Sequence, residues 1–337
     1  MKMRAALLHD VETIKVVEID KPVCGPADVL VKTVCSGFCG SDMTGYLKGG
    51  QYAGIAKDSE FGHEVVGYIT EVGKEAKGFE PGMRVFIHPE GTMPPNHSMM
   101  LGGFSDFIRV PNAKLDRNLY LLPDGMTYDE GVLIEPVAVG TRGKNVAKAK
   151  PGDNVVVYGA GAVGLGCVTG LVMQGINPVA VVRNNNRKAL LEKMGAVVCN
   201  VKETELLPFL KEHFGMVTGQ WGHVNINVDI VVDCAGAPNI LDEFLQMRKT
   251  GARLSLVGVG SELVPVRLAS IMSCEGVLVG SRGYYHDDVV EVIGNLASKK
   301  THMLEAITHR FPLEQIGLAF ETMKDREKAI KIVIDME

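Results

Sequence analysis

The chain has 337 residues, which is long enough for two domains with separate cores. Its 35 lysines and arginines are outnumbered by 40 aspartates and glutamates, and the net charge of -5 provides no basic surface for nucleic acid or an anionic membrane. The seven cysteines are odd in number and scattered, which argues against a disulfide framework and favours a reducing cytoplasm.

No membrane helix is predicted, although one stretch has sufficient length. The segment 155–182 runs for 28 residues without a formal charge. Gln174, Asn177 and Pro178 interrupt it, so two apolar strands that flank a buried helix explain it better. At the N-terminus, MKMRAALLHDVE contains too short an apolar run for a signal peptide. We expect a cytoplasmic protein without a membrane partner.

The sequence predicts two domains of different kinds. The first roughly 140 residues contain short β-like runs between glycines and prolines, such as VLVKTV, VVGYITEVG and FSDFIRV, which favour an antiparallel or barrel-like unit. From Asn154 onward strands and helices alternate, as in a parallel sheet covered on both faces. After Gly283, two helical segments and the closing strand KAIKIVID indicate a return to the first domain. We therefore predict an α/β protein with a mostly-β domain (1–139 and 283–337) and an inserted, doubly wound parallel-sheet domain (140–282).

A glycine-rich turn joins the first strand of the inserted domain to its first helix. The segment VVVYGAGAVGLG contains the pattern GxGxxG, whose glycines are Gly159, Gly161 and Gly164, with Ala162 and Val163 between the last two. Glycines permit a tight turn and a close approach of the backbone to a pyrophosphate, whose charge then meets a helix N-terminus. The pattern also fits simple close packing, but its strand–turn–helix context favours dinucleotide binding.

Three separated segments carry side chains that can bind a transition metal. CSGFCGSDM places Cys39 near the end of a predicted strand, and FGHEVVGY places His63 and Glu64 before another. In VLIEPVAVG, Glu135 lies among apolar residues, where a carboxylate is costly unless it is paired or binds a metal. Each segment alone has a structural explanation. Together, the thiolate, imidazole and carboxylates are donors that zinc accepts.

These segments resemble the zinc-dependent medium-chain alcohol and polyol dehydrogenases, over essentially the whole chain. In GHEVVGYITEVGKEA the family's signature positions are Gly62, His63, Glu64, Gly67, Gly73 and Ala76. CGSD is similar to the family's first zinc-ligand motif, and FPLEQIGLAFETM with KIVI is similar to its C-terminus. The resemblance implies a GroES-like catalytic domain, a Rossmann cofactor domain, and a homodimer or homotetramer formed through the last strand of the cofactor sheet, here Gly276–Ser281.

The resemblance also implies a ligand set for one catalytic zinc. Cys39 and His63 would be the first two ligands. Glu135 stands where the alcohol branch of the family has a cysteine and the polyol and sugar branch has a glutamate. Either Glu64 ligates the metal directly while Glu135 holds the zinc-bound water, or the two exchange, and the resemblance leaves this open.

Two further residues receive roles from the same resemblance. Asp42 would orient His63 through its second ring nitrogen. Ser41 would hydrogen-bond the substrate hydroxyl and take its proton. With Glu64 beside the metal, these two side chains complete the predicted catalytic group.

The chain departs from many relatives in its metal content. Those relatives carry a second, structural zinc on four closely spaced cysteines, and the corresponding loop HPEGTMPPNHSMMLGGF contains none. We predict one zinc per chain, with no substitute site at His88 or His97. Cys35, four residues before Cys39, is expected to pack within its strand.

The cofactor preference depends on the segment VVRNNNRK. Glycine turns that bind NAD usually have an acidic residue about 20 positions later, which holds the adenosine ribose. Here Arg183 stands nineteen residues past Gly164, followed by Asn184 and Arg187. An acid would repel a 2′-phosphate, whereas arginines can clamp it with planar donors. The segment therefore predicts NADP(H), and the alternative is a solvated loop with incidental charges.

These inferences together predict an NADP-dependent zinc oxidoreductase that acts on a secondary alcohol, a polyol or a sugar. Alternatives are a sugar-phosphate or polyol-phosphate dehydrogenase and an NAD-preferring diol dehydrogenase. A zinc-free enone or quinone reductase, or a non-catalytic dinucleotide-binding protein, would not need the complete set of metal donors. The only partner expected besides further copies of the chain is the small-molecule substrate.

Overall fold

The computed structural model describes residues 1–89, 102–219, 222–260 and 262–336. It divides into one unit of Met1–Glu135 with Leu304–Glu337 and a second unit of Pro136–Met303. The sequence predicted these divisions at 139/140 and 282/283. The return to the first unit comes later because the helix His286–Ala297 packs against the helix Ala162–Met173 of the second unit.

The helices and strands follow in chain order. The N-terminal part of the first unit contains β1 (Lys2–Asp10), β2 (Thr13–Asp20), β3 (Val29–Gly37), α1 (Gly40–Lys48), β4 (Ser59–Glu60), β5 (Glu64–Val72), β6 (Arg84–Ile87), β7 (Phe107–Val110), β8 (Leu119–Leu121) and α2 (Tyr128–Val132). The next elements are α3 (Ile134–Val146), β9 (Val155–Tyr158), α4 (Ala162–Met173), β10 (Val179–Val182), α5 (Lys188–Lys193), β11 (Val197–Asn200), α6 (Leu206–Phe214), β12 (Met216–Thr218), β13 (Val224–Ile226), β14 (Ile230–Asp233), α7 (Ile240–Met247), β15 (Arg253–Leu256), α8 (Leu268–Ser273), β16 (Val277–Gly280) and α9 (His286–Ala297). The chain closes with β17 (Ile307–Pro312), α10 (Ile316–Lys324) and β18 (Lys331–Asp335).

The first unit is built mainly from antiparallel strands. Its larger sheet has the order β17-β18-β3-β5-β6-β8, with β7 also paired to β3, and a second sheet has the order β2-β1-β4. One apolar core of this unit contains four buried rings, each of which contacts two of the others; the rings are Phe38, Phe61, Phe104 and Phe320. In the larger sheet Gly37, the last residue of β3, lies opposite both Glu64 and Val333. The end of β3 therefore meets β5 and β18 at one place.

The second unit contains a six-stranded parallel sheet in the order β11-β10-β9-β14-β15-β16. The chain starts at β9 in the middle, runs outward through β10 and β11, and then returns to build the other half from β14. This order confirms the predicted doubly wound fold. It also creates a switch point at the carboxyl ends of β9 and β14, where ligands of such sheets bind.

Burial explains why the segment 155–182 carries no formal charge. Every residue of β9 and β10 is buried, and α4 between them is buried over most of its length. Strands and helices enclosed in this way need apolar residues at every position. Among the described residues, none of the helices combines the length and the apolar character that crossing a bilayer requires.

Candidate metal centre and cofactor site

The first candidate ligand, Cys39, lies in the short link between β3 and α1. It occupies the N-cap of α1, and its backbone N–H donates to Asp42 Oδ2 over 2.9 Å. That bond satisfies one of the free donors at the helix start and fixes the first turn. The local sequence CGSD therefore holds the thiol at the end of the strand.

Strand pairing brings His63 and Glu64 to the same place. Glu64 begins β5 opposite Gly37, and His63 directly precedes it. One ligand atom from each of Cys39, His63 and Glu64 lies within 4.8 Å of the other two. Three of the four predicted metal donors thus form one cluster.

Asp42 and Ser41 border this cluster. Asp42 is buried, and its Oδ1 lies 3.9 Å from His63 Nδ1, which leaves Nε2 of the ring for a metal. Three buried atoms here have no hydrogen-bond partner within the described part of the chain: Ser41 Oγ, Asp42 Oδ1 and His63 Nδ1. Since buried polar atoms are normally paired, these unpaired atoms fit a site that is completed by a bound group.

The electrostatics of the cluster favour a cation. Burial by itself would lower the pKa of His63, but the Cys39 thiol and the Asp42 carboxylate raise it well above its ordinary value. Burial raises the pKa of Asp42 to about 6. The acidic neighbours of His63 thus raise its pKa, whereas the pKa of Asp42 rises because the carboxylate is removed from water. A thiolate, an imidazole and carboxylates in such surroundings fit zinc, so the residues present suit the metal that the sequence predicted.

Glu135, the fourth predicted donor, stands outside the group of three. It is the second residue of α3 and is buried. Burial raises its pKa to about 7, His63 acts against this rise, and the Glu64 carboxylate adds to it. Both residues therefore act electrostatically on Glu135. It remains the second carboxylate available to a bound metal.

Sequence reasoning missed Lys331, the first residue of β18. Its Nζ donates to Glu64 Oε1 over 2.7 Å, to Glu64 Oε2 over 2.5 Å and to the Phe38 carbonyl over 2.8 Å. Burial disfavours the ammonium, but the Glu64 carboxylate raises the pKa of Lys331. A sequence signal for this residue was present, because Lys331 begins the apolar run of the closing strand, KIVID. Lysine is almost never fully buried unless it is paired, so a lysine in such a strand indicates a buried partner.

Two histidines and one further cysteine were considered as ligands from the sequence. Cys35 is fully buried in β3, and burial raises the pKa of its thiol to about 12, which fits packing within the strand. His88 is also buried, with its ring centre 6.3 Å from that of Tyr120. His97 and most of the loop expected to lack a structural zinc lie outside the described residues.

The glycine turn lies at the switch point of the parallel sheet. Gly159 has φ +93°, and a Cβ there would stand 3.2 Å from the backbone of Cys234, which follows β14. A Cβ on Gly164 would stand 2.1 Å from the Gly159 carbonyl oxygen, so this close packing requires glycine. Gly161 is the N-cap of α4, which begins at Ala162 and Val163. The free N–H groups of this helix start are available to a pyrophosphate.

The basic segment follows β10, next to this turn. The Gly159 N–H donates to the Val181 carbonyl, and Arg183 comes two residues later, exposed and without an ion pair to any described residue. Arg187 is partly buried, and its Nη1 donates to the Ala160 carbonyl over 2.7 Å. Asn184 Oδ1 accepts from the Asn186 N–H within the loop. Arg187 thus braces the glycine turn, and Arg183 is the arginine that projects into solvent.

The fold and the donor set define a zinc-type dehydrogenase with a dinucleotide-binding unit. A model described as the alcohol dehydrogenase GroES-like domain matches residues 25–123, and one described as zinc-binding dehydrogenase matches residues 162–298. The chain belongs to the zinc-dependent medium-chain alcohol and polyol dehydrogenase family. This confirms the resemblance and the fold class predicted from the sequence.

Individual relatives agree with this assignment. Sorbitol dehydrogenase of Homo sapiens is 31% identical, with coverage of 90% of this chain and 87% of the relative. Sorbitol dehydrogenase of Bacillus subtilis (strain 168) is 28% identical, with coverage of 98% and 97%. An oxidoreductase/dehydrogenase of unknown specificity from Escherichia coli superposes with a TM-score of 0.87 at 26% identity, over 100% of both chains.

Proposed function

We propose that this alcohol or polyol dehydrogenase uses NADP(H) and one zinc ion per chain to interconvert a secondary hydroxyl and a ketone on a polyol or sugar. The observation that carries the proposal is the cluster of the half-buried Cys39 and His63 with the buried Glu64. The names of the sorbitol dehydrogenases above support a polyhydroxylated substrate. Arg183 supports the choice of NADP(H).

The reaction removes a proton and a hydride from the same alcohol. Loss of the proton is the difficult step, because the pKa of a free hydroxyl lies far above neutral pH. Cys39 and His63 would hold zinc together with Glu64 or Glu135, and zinc, when bound, lowers the pKa of a coordinated hydroxyl from its value in bulk water to about 7. That change of about nine units corresponds to roughly 12 kcal/mol. The nicotinamide cofactor, when bound, would accept the hydride, and the carbinol carbon would become a carbonyl carbon.

The chain's own residues would position the reactants. Ser41, whose buried Oγ lacks a partner among the described residues, would hydrogen-bond the substrate hydroxyl, take its proton and pass its own hydroxyl proton on to water or to the cofactor ribose. Asp42 would orient His63 by its charge, since its Oδ1 lies 3.9 Å from Nδ1 of the ring. The turn around Gly161 and the start of α4 receive the pyrophosphate, and Arg183 receives the 2′-phosphate.

Turnover with a defined metal content tests this proposal. We expect the purified enzyme to contain one zinc per chain and to oxidise a polyol such as sorbitol with NADP. Activity should fall to background after zinc is removed with a chelator and return when zinc is added. Activity that is independent of metal content, or full zinc without turnover on a panel of alcohols and ketones, would contradict the proposal.

We also propose that two copies of the chain associate through β16. This strand is at the edge of the parallel sheet and, among the strands of the described residues, pairs only with β15. Apolar side chains stand exposed in the segment between β15 and β16; the most exposed are Val259, Leu263, Leu268 and Met272. An unpaired strand edge and an exposed apolar surface both favour pairing with a second copy. Sedimentation velocity should therefore give at least twice the chain mass of 36.4 kDa, and a monomer at micromolar concentration would rule this surface out.

A further inference from the structure

We propose that Asn200 is a positioning residue of the cofactor site. Through a hydrogen bond to Asn185 it holds the loop of residues 183–187 in the shape that presents Arg183 to a 2′-phosphate. The inference rests on the proposed use of NADP(H), and it adds a residue from outside the loop to the groups that select the cofactor.

Strand pairing places Asn200 beside the start of this loop. β10 and β11 are parallel neighbours, and their last paired residues are Val182 and Asn200. The Val201 N–H donates to the Val182 carbonyl over 3.0 Å, so the two segments leave the sheet side by side. Arg183 is the next residue after Val182. The end of β11 therefore flanks the loop that carries this arginine.

Asn200 is itself held in one orientation, and it is 8% exposed. Its carbonyl accepts from the N–H groups of Glu203 and Thr204 over 3.0 Å and 2.9 Å. Its side-chain Oδ1 accepts from the Lys202 N–H over 3.1 Å, which directs the amide nitrogen the other way. That nitrogen, Nδ2, donates to Asn185 Oδ1 over 3.1 Å. Both ends of the amide thus have a partner, as a buried polar group requires.

Asn185 transmits this restraint to the loop. Its Nδ2 donates to Glu203 Oε1 over 2.5 Å, and its carbonyl accepts from the Lys188 N–H over 3.0 Å at the start of α5. The loop is tied to the β11 side through Asn185 and to the glycine turn through Arg187, which donates to the Ala160 carbonyl. A loop that is ordered before a ligand arrives loses less conformational entropy on binding.

The same network leaves the charge of Arg183 available. The hydrogen bonds that fix the loop run between Asn200, Asn185 and Glu203, and none of them uses the Arg183 guanidinium. Glu203 is an acidic side chain bound to this loop, and its partner there is an uncharged amide rather than an arginine. An arginine that is not paired with a carboxylate keeps its donors for a phosphate.

Asn200→Ala tests the inference by fluorescence titration with NADPH and NADH. The variant loses the bond to Asn185, so the loop no longer presents Arg183 in one place. We expect NADPH to bind about fivefold more weakly, which corresponds to the loss of one hydrogen bond between neutral groups. NADH lacks the 2′-phosphate and should bind nearly as before, so the ratio of the two affinities falls.

Two further variants identify the route of the effect. Asn185→Ala removes the other partner of the bond, and because Asn185 is exposed this variant should fold even where Asn200→Ala does not. It should lower the same ratio, and the double variant should lose little more than either single one, since both act through one interaction. In an Arg183→Ala background, Asn200→Ala should leave the ratio unchanged, because the arginine that the loop positions is absent.

Limited digestion with trypsin, in the absence of cofactor, reports on the loop itself. Trypsin cleaves after lysine and arginine, and Arg183, Arg187 and Lys188 provide sites within or directly after the loop. We expect the loop to be cut several-fold faster in Asn200→Ala than in the wild-type enzyme, because local opening becomes easier when its hydrogen bonds are removed. Cleavage elsewhere in the chain should keep its rate.

Asn154→Ala is the matched control. Asn154 precedes β9 at the opposite end of the same sheet, and its Nδ2 donates to the Asn227 carbonyl over 2.6 Å. This variant should lower Tm and leave both the ratio of affinities and the cleavage of the loop unchanged. If Asn200→Ala weakens NADPH and NADH equally, or neither of them, Asn200 only stabilises the fold and the inference is wrong. A wild-type enzyme that does not prefer NADPH would instead overturn the proposed cofactor, and this inference with it.

Discussion

Cys39→Ser is expected to remove the bound zinc and to lower kcat/KM for alcohol oxidation by roughly 10³-fold or more. The substitution preserves the size of the side chain but replaces the thiolate with a hydroxyl, which is a poor zinc ligand. The metal's effect on the hydroxyl pKa corresponds to roughly 12 kcal/mol. Losing about a third of that benefit already costs roughly 10³-fold, because each 1.36 kcal/mol is a factor of about ten in rate.

The experiment measures zinc per chain by elemental analysis together with steady-state kinetics. Cys35→Ala is the matched control, since Cys35 lies in β3 four residues earlier and is buried away from solvent. It should retain zinc and most activity, with a modest loss of stability from the small cavity. If Cys39→Ser keeps a full zinc complement and wild-type turnover, the cluster of Cys39, His63 and Glu64 is not the catalytic metal centre.

Arg183→Asp is expected to reverse the cofactor preference. The wild-type enzyme should bind NADPH at least tenfold more tightly than NADH, and the variant should bind NADH as well as or better than NADPH. At about 5 Å and an effective dielectric constant of about 20, one pair of unit charges corresponds to roughly 3 kcal/mol. Screening at an exposed position reduces this value, but about 1.4 kcal/mol is sufficient for a tenfold preference.

Fluorescence titration with NADPH and NADH measures both affinities. Lys188→Asp makes the same change of charge five residues further along, at an exposed residue that begins α5, and should leave the ratio of affinities nearly unchanged. Arg187→Ala should weaken both cofactors together, because Arg187 braces the Ala160 carbonyl of the shared glycine turn. Equal binding of NADPH and NADH by the wild-type enzyme would show that Arg183 does not recognise the 2′-phosphate.

Local sequence patterns were sufficient for much of the fold. The apolar strand, the glycine turn and the helix that follows are contiguous, and their conformations depend on neighbouring residues, so the start of the parallel sheet could be predicted from the segment 155–173. The later division at 303/304 could not, because it depends on the packing of α9 against α4, which are far apart in the sequence.

The same distinction applies to the candidate site. The residue types Cys39, His63 and Glu135 indicated a zinc site through their chemistry, and the structure brings the first two together with Glu64. The role of Arg187 required the path of the backbone, since its partner is a carbonyl rather than a side chain with a recognisable pattern.

The sequence by itself determined the kinds of donors, the dinucleotide-binding turn and the family, because each depends on short segments whose residues act together. Only the tertiary structure decided which donors meet and what holds them. Lys331 is 267 positions from Glu64, and the two become neighbours because β18 and β5 both pair with the end of β3. A hydrogen bond between buried groups is set by the pairing of distant strands, and no local pattern of residues encodes that pairing.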